Sequence, residues 1–159
     1  MSKAVVGLDC TGETFCCGIL VDGREQTSLV GLTPRRALRD LPGHIGYLIK
    51  SAGLSYRDVE AVGVTVGPGS FTGVRLGVTL ARTVALTCGC RTAPLDTLEV
   101  IARGTWERLG LPDGAVAVAL DARRGEVYSG VFSKNGNAVN VEVPTKARKP
   151  ADFRPAYSG

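Results

Sequence analysis

Val64-Thr65-Val66-Gly67-Pro68-Gly69-Ser70-Phe71-Thr72-Gly73-Val74-Arg75 runs from a β-branched segment through a Gly/Pro turn straight into a long helical pattern. Three glycines within seven residues require that backbone, not side chain, come close to something here. Pro68 fixes φ in the turn, and Ser70 or Thr72 can cap the helix that follows. A strand feeding a helix N-terminus through glycines is the usual setting for anion binding, because free N–H groups there point outward together. The nucleotide motifs fail in detail, however. A P-loop needs G-x-x-x-x-G-K-[ST], and no lysine lies between Gly67 and Thr87. The dinucleotide fingerprint G-x-G-x-x-G is missed as well, because Gly73 stands one residue too far from Gly69. A tight turn that lets a helix pack close to a sheet is the plainer reading.

The helix predicted over Phe71–Thr87 supports it. At 100° per residue, Leu76, Leu80, Gly73, Val84, Gly77, Ala81, Val74, Ala85 and Val78 fill an arc of roughly 200°. A helix lying on one sheet needs only about half of that. Within the arc Gly73, Gly77, Ala81 and Ala85 recur every four residues, a small-residue stripe that permits very close packing. One side should cover the sheet. The surplus apolar side needs a second cover, from the first helix of the chain or from another chain.

Upstream, Ala4–Asp9 reads as a buried strand and Thr14–Val21 as a second, with Asp22-Gly23 a hairpin turn into a third over Arg24–Val30. Thr33-Pro34 starts a helix, Pro42-Gly43 predicts a kink or a fresh start, and Gly53 stops it. Glu60–Val66, apolar on both faces, is a central strand. Downstream, Cys90–Pro94 is a short strand and Asp96 opens a helix to about Leu109 that carries Trp106. Leu111-Pro112-Asp113-Gly114 is the predicted boundary. Strands over Ala115–Leu120, Glu126–Phe132 and Val139–Val143 follow, with a tight turn at Lys134-Asn135-Gly136-Asn137. The domain reading is a first lobe over residues 1–111, a partial, truncated second lobe over 112–145 and an irregular basic tail over 146–159.

Composition bounds the function. Of 159 residues, 44% are hydrophobic and 21% charged, which is globular and not disordered. The formal net charge of +4 permits contact with nucleic acid without arguing for it. Cys10, Cys16, Cys17, Cys88 and Cys90 form no C-x-x-C pair and read as small buried hydrophobes in a reducing compartment. No apolar run reaches membrane-spanning length, and the chain meets Asp9 too soon for a signal peptide. A cytoplasmic protein without membrane contact is the expectation.

The element order is βββαβαβα and then βββ, so the same three-strand opening occurs twice. A mixed sheet duplicated in two lobes is the plan of the actin-like (ribonuclease H-like) and sugar-kinase α/β proteins, whose hairpin turns hold nucleotide phosphates between the lobes. Asp9-Cys10-Thr11 and Asp121-Ala122-Arg123 fall at the two corresponding turns. Three passages together resemble the TsaB family: Leu8-Asp9-Cys10-Thr11, Val66 to Gly77, and Leu120-Asp121-Ala122-Arg123-Arg124-Gly125-Glu126-Val127-Tyr128. The resemblance implies an accessory subunit in the synthesis of threonylcarbamoyladenosine on tRNA, with an actin-like fold that has largely lost nucleotide chemistry. It also implies pairing with a TsaD-like subunit that binds ATP and metal and performs the transfer, and with a TsaE-like ATPase. Such a chain has no cofactor of its own, forms a homodimer when alone, and meets tRNA through the complex.

Pairing in that family uses a helical face that includes the helix after the glycine turn. Here its outward candidates are Phe71, Arg75, Leu76, Thr79, Leu80, Arg82, Thr83 and Thr87. Asp9, Thr11 and Asp121 are the vestigial phosphate-turn residues. The alternative is an ATP-dependent phosphotransferase or acyltransferase with those three residues around a metal-bound phosphate. A two-histidine metal site is excluded within the chain, since His44 is its one histidine. Gly43 and Gly46 depart from the family pattern by weakening the first helix. Direct contact with tRNA would fall to Arg35, Arg36, Arg39 and the basic tail with Lys146, Arg148, Lys149 and Arg154.

Overall fold

The computed structural model describes residues 3–31 and 34–153, with backbone alone for 34–38. The chain divides into two compact units, Met1–Leu95 and Asp96–Gly159. The first holds β1 (Ala4–Asp9), β2 (Phe15–Val21), β3 (Arg24–Gly31), α1 (Pro34–Ser51), β4 (Val59–Thr65), α2 (Phe71–Cys88) and β5 (Arg91–Leu95). The second holds α3 (Thr97–Leu109), β6 (Gly114–Arg123), β7 (Glu126–Asn135) and β8 (Ala138–Arg148). The predicted order is therefore present in full.

In the first unit the strands lie β3-β2-β1-β4-β5, antiparallel among β1, β2 and β3 and parallel from β1 through β4 to β5. Asp22 and Gly23 both take positive φ, as a type I′ hairpin turn requires. β1 alternates, with Ala4, Val6 and Leu8 buried and Val5, Gly7 and Asp9 half-buried. β4 lies between two parallel neighbours and is buried almost throughout. α1 packs on β2 and β3, α2 packs on β4 and β5, and the two helices touch. Val6, Leu8, Ile19, Leu41, Ile45, Leu48, Val62 and Val64 form the core between sheet and helices.

Two expectations are corrected here. α1 runs from Pro34 to Ser51 as one helix, with Pro42 inside it, and not as two pieces meeting at Pro42-Gly43. Pro42 and Gly43 stand on the exposed side, whereas Leu41, Ile45, Leu48 and Ile49 are buried. Tertiary burial of that stripe outweighs the lost hydrogen bond. The second correction concerns the boundary, which falls after Leu95 and not at Leu111–Gly114. α3 buries Leu98, Ala102 and Trp106 with Val118 and Phe132 of β6 and β7, so it belongs with the second sheet. Burying a side chain the size of Phe132 contributes about 2–3 kcal/mol, enough to fix the helix on that sheet.

The second sheet is a β6-β7-β8 meander. Asp96 caps α3 by accepting the N–H groups of Leu98 and Glu99, and the Thr145 hydroxyl of β8 donates to the same oxygen. The tail is also revised. β8 continues to Arg148, and Pro150–Asp152 add a turn of 3-10 helix, so irregular chain does not begin at 146. Arg148 is a structural residue: its guanidinium donates to the Ser129 carbonyl, to the Ser129 hydroxyl at 2.8 Å and to the Pro144 carbonyl at 3.0 Å. Arg154 lies outside the described residues, as do the side chains of Arg35 and Arg36. Arg39 pairs with Asp40 at 2.7 Å.

Candidate functional site

The first candidate is the turn after β1. Asp9 Oδ1 accepts from the Thr11 N–H at 2.9 Å, the Thr11 hydroxyl at 2.7 Å and the Thr65 hydroxyl at 2.5 Å. Thr65 ends β4, the parallel neighbour of β1, and is buried. Its role was missed in the sequence. The one signal was its place at the end of a strand that would pair with the strand ending in Asp9.

The glycine turn closes on this same turn. Ser70 N–H donates to the Thr11 carbonyl at 2.7 Å. A Cβ on Gly69 would stand 2.5 Å from that oxygen, and one on Gly73 would collide with the Cys10 carbonyl. A Cβ on Gly77 would reach only ordinary contact, at 3.4 Å from Cys10 Cβ. What the glycines admit is therefore the chain's own first turn. The start of α2 is correspondingly engaged: Gly73 N–H donates to Ser70 Oγ at 3.2 Å and Val74 N–H to the Ser70 carbonyl at 2.8 Å. Burial pushes the Cys10 thiol up to about 12, with the Asp9 charge adding to it, and Cys17 up to about 11. Both thiols are neutral packing groups at ordinary pH.

Asp121 repeats the motif in the second unit. Its Oδ1 accepts the Arg123 N–H at 2.7 Å, the same two-residue reach as Asp9 to Thr11. Asp121 is exposed, however, and the turn it braces carries positive φ at Arg123, Arg124 and Gly125 in succession. Each turn is complete within its own unit. Among the described residues no three His, Cys, Asp or Glu side chains converge as a metal would need.

The second candidate is the outer face of α2. Gly73, Gly77, Ala81, Val84 and Ala85 are buried, as the small-residue stripe required. Leu76, Val78 and Leu80 are half-buried against the core, which accounts for part of the surplus arc. Phe71, Thr72, Arg75, Thr79, Arg82, Thr83, Leu86 and Thr87 remain exposed. They occupy a continuous arc of about 160°. Phe71 and Leu86, at 74% and 83%, are the two most exposed large apolar side chains among the described residues. Leu86 was not among the sequence candidates. The Thr83 hydroxyl donates to the Thr79 carbonyl and the Thr87 hydroxyl to the Thr83 carbonyl, each at 2.9 Å. With hydroxyls turned to the backbone, these threonines present methyl groups outward. The Arg75 guanidinium lies 5.2 Å from the centre of the Phe71 ring and over its face, a cation–π contact at the start of the helix. The face is less polar than its composition suggests.

No helix among the described residues is long and apolar enough to cross a membrane.

Comparison with known proteins places this geometry. A family model described as TsaD, tRNA N6-adenosine threonylcarbamoyltransferase, matches residues 20–156. The tRNA threonylcarbamoyladenosine biosynthesis protein TsaB of Bacillus subtilis is 29% identical over 153 residues, covering 94% of this chain and 63% of that one. TsaB of Escherichia coli is 30% identical over 135 residues, covering 85% and 57%. The chain thus spans about 60% of the length of these curated relatives, between the 57% and 63% they share with it. YeaZ from Pseudomonas aeruginosa superposes with a TM-score of 0.87 at 24% identity, over 98% of this chain and 71% of that one, and shows the fold to be the actin-like one expected. The chain belongs to the family of that model, among its TsaB members.

Proposed function

We propose that this chain is a non-catalytic accessory subunit in the synthesis of threonylcarbamoyladenosine on tRNA, holding a TsaD-like, ATP- and metal-binding transferase subunit through the outer face of α2. The observation that carries the reading is that face, with Phe71 exposed at its start, Leu86 exposed near its end beside the back-bonded Thr83 and Thr87, and Arg75 and Arg82 along it. An exposed aromatic ring with arginines along the same face is the side-chain chemistry that protein interfaces collect. The names carried by the Bacillus subtilis and Escherichia coli relatives supply the pathway. The engaged start of α2 and the Asp9 oxygen already bonded to Thr11 and Thr65 favour a structural role for the old phosphate turn.

In this reading ATP and metal reside on the partner, a TsaE-like ATPase joins the pair in the cytoplasm, and tRNA is met by the complex. Alone, the chain uses the same helix face to form a homodimer. Co-purification of the tagged chain from its own cells, read by mass spectrometry, is expected to return the transferase subunit; a stable chain recovered without it rejects the reading. Calorimetry of the isolated chain with ATP and magnesium is expected to show no submillimolar binding. Such binding would favour instead a phosphotransferase or acyltransferase built on Asp9, Thr11 and Asp121.

A further inference from the structure

β6 and β7 reverse over Arg124-Gly125, inside the pair Arg123–Glu126. Arg123, Arg124 and Gly125 take φ of 64°, 53° and 77°. A two-residue reversal of this kind, with positive φ at both central positions, takes Gly, Asn and Asp most readily. Gly125 meets that need. Arg124 does not, and Arg123 is also left-handed, at a register shift held by the Asp121 carboxylate. Folding asks for arginine at neither place, and both side chains are exposed.

The other strand end at this side of the sheet is also basic. Pairing sets Arg148 opposite Val127 and Lys146 opposite Ser129, while Asp121 lies opposite Val127 on the other side. The end of β8 and the Arg123-Arg124 tip are therefore two strand spacings apart, about 10 Å. Arg148 is turned inward to Ser129 and Pro144. Arg123, Arg124, Lys146 and Lys149 are exposed, and none enters the ion pairs formed among the described residues. The acids nearby are Asp121, bonded to the Arg123 N–H, with Glu126 and Asp152.

We propose that this end of the second unit's sheet is an RNA contact, with Arg123, Arg124, Lys146 and Lys149 on the phosphate backbone. No exposed large apolar side chain lies at this end, so it lacks the anchor on which a protein interface is centred. Phosphate contacts need no such anchor; they need unpaired cations spread over a backbone's reach. The inference rests on the function proposed above for its choice of tRNA, and deepens it: the accessory chain itself holds part of the tRNA.

The test is fluorescence-anisotropy titration of an unmodified tRNA transcript with the full chain across a salt series. Arg123→Asn with Arg124→Asn removes two charges with a residue that tolerates the left-handed turn. It is expected to make the slope of log K against log salt shallower by roughly 1.4 to 1.8, at 0.7 to 0.9 per phosphate contact. At low salt the affinity should fall about tenfold, by the same release of counterions. Lys146→Ala with Lys149→Ala should act in the same direction without touching the turn, and Arg123→Lys with Arg124→Lys should keep the slope. Absence of tRNA binding by the native chain at low salt overturns the inference. So does unchanged slope and affinity in both charge-removing variants with circular dichroism intact. Loss of transferase binding with tRNA binding intact would also overturn it, assigning this end to an acidic protein surface. Failure to co-purify the transferase while the salt slope responds as expected would reject the accessory role alone.

Discussion

The two units carry the same local device, an aspartate at a strand end accepting the N–H two residues on, and set it in opposite surroundings. Asp9-Cys10-Thr11 is closed over by the start of α2, with the Thr65 hydroxyl and the Ser70 N–H completing its bonds. Asp121-Ala122-Arg123 ends in an exposed tip braced only by the Asp121 bond to the Arg123 N–H and by the left-handed backbone that follows. The motif fixes a turn in both places. Its environment decides whether that turn is a packing joint or a presented surface. The glycines are what make the difference, because Gly69 and Gly73 are the positions where any side chain would hold α2 off the first turn.

Substitutions should separate the two turns by size of effect. Gly73→Ala puts a methyl into the Cys10 carbonyl, where backbone must move, and is expected to cost about 3 kcal/mol in denaturant unfolding. Gly125→Ala meets open space and has only its positive φ to oppose it, so about 1 kcal/mol is expected. Equal losses at the two glycines would mean that the two turns are equally packed. Asp9→Ala strands the buried Thr65 hydroxyl and should cost about 2–3 kcal/mol, against about 1 kcal/mol or less for Asp121→Ala.

A smaller effect sharpens the contrast by pH. All five cysteines lie in the first unit, and Cys10, at the joint, has its thiol raised from 9.0 to about 12. The unfolded chain loses that proton at lower pH than the folded one. Its contribution is therefore fully present below about pH 9 and is lost as pH rises toward 12. Unfolding curves between pH 8 and 11 should show stability falling, with a shallower fall in Cys10→Ala. A slope unchanged by that variant would deny Cys10 its burial under α2.

Much of this was legible in the sequence, for physical reasons that also mark the limits. Asp22-Gly23 and Gly136-Asn137 announced their hairpins because positive φ restricts residue type locally. The small-residue stripe of α2 announced close packing, and Gly73, Gly77, Ala81 and Ala85 are buried. What remained hidden depends on contacts distant in the chain. Thr65 meets Asp9 across 56 residues, and α3 shows an apolar face without saying which sheet receives it. Pro42-Gly43 argued for a kink or a fresh start, and core burial overrides the fresh start. Leu86 falls within the polar side of the wheel, where one apolar residue reads as incidental until its 83% exposure next to the back-bonded Thr83 and Thr87 is seen. Arg148 read as part of an irregular basic tail, and its bonds to Ser129 show it to be part of the sheet.

The outer face of α2 is the proposed seat of the transferase subunit. Leu86→Arg tests it most directly, because Leu86 is exposed and its replacement leaves the core intact, unlike the half-buried Leu80. Calorimetric titration of the chain into the transferase subunit is expected to show binding that Leu86→Arg weakens at least about tenfold, the scale of losing an interface anchor. Unchanged affinity, with the variant folded and the native chain bound, would contradict the claim.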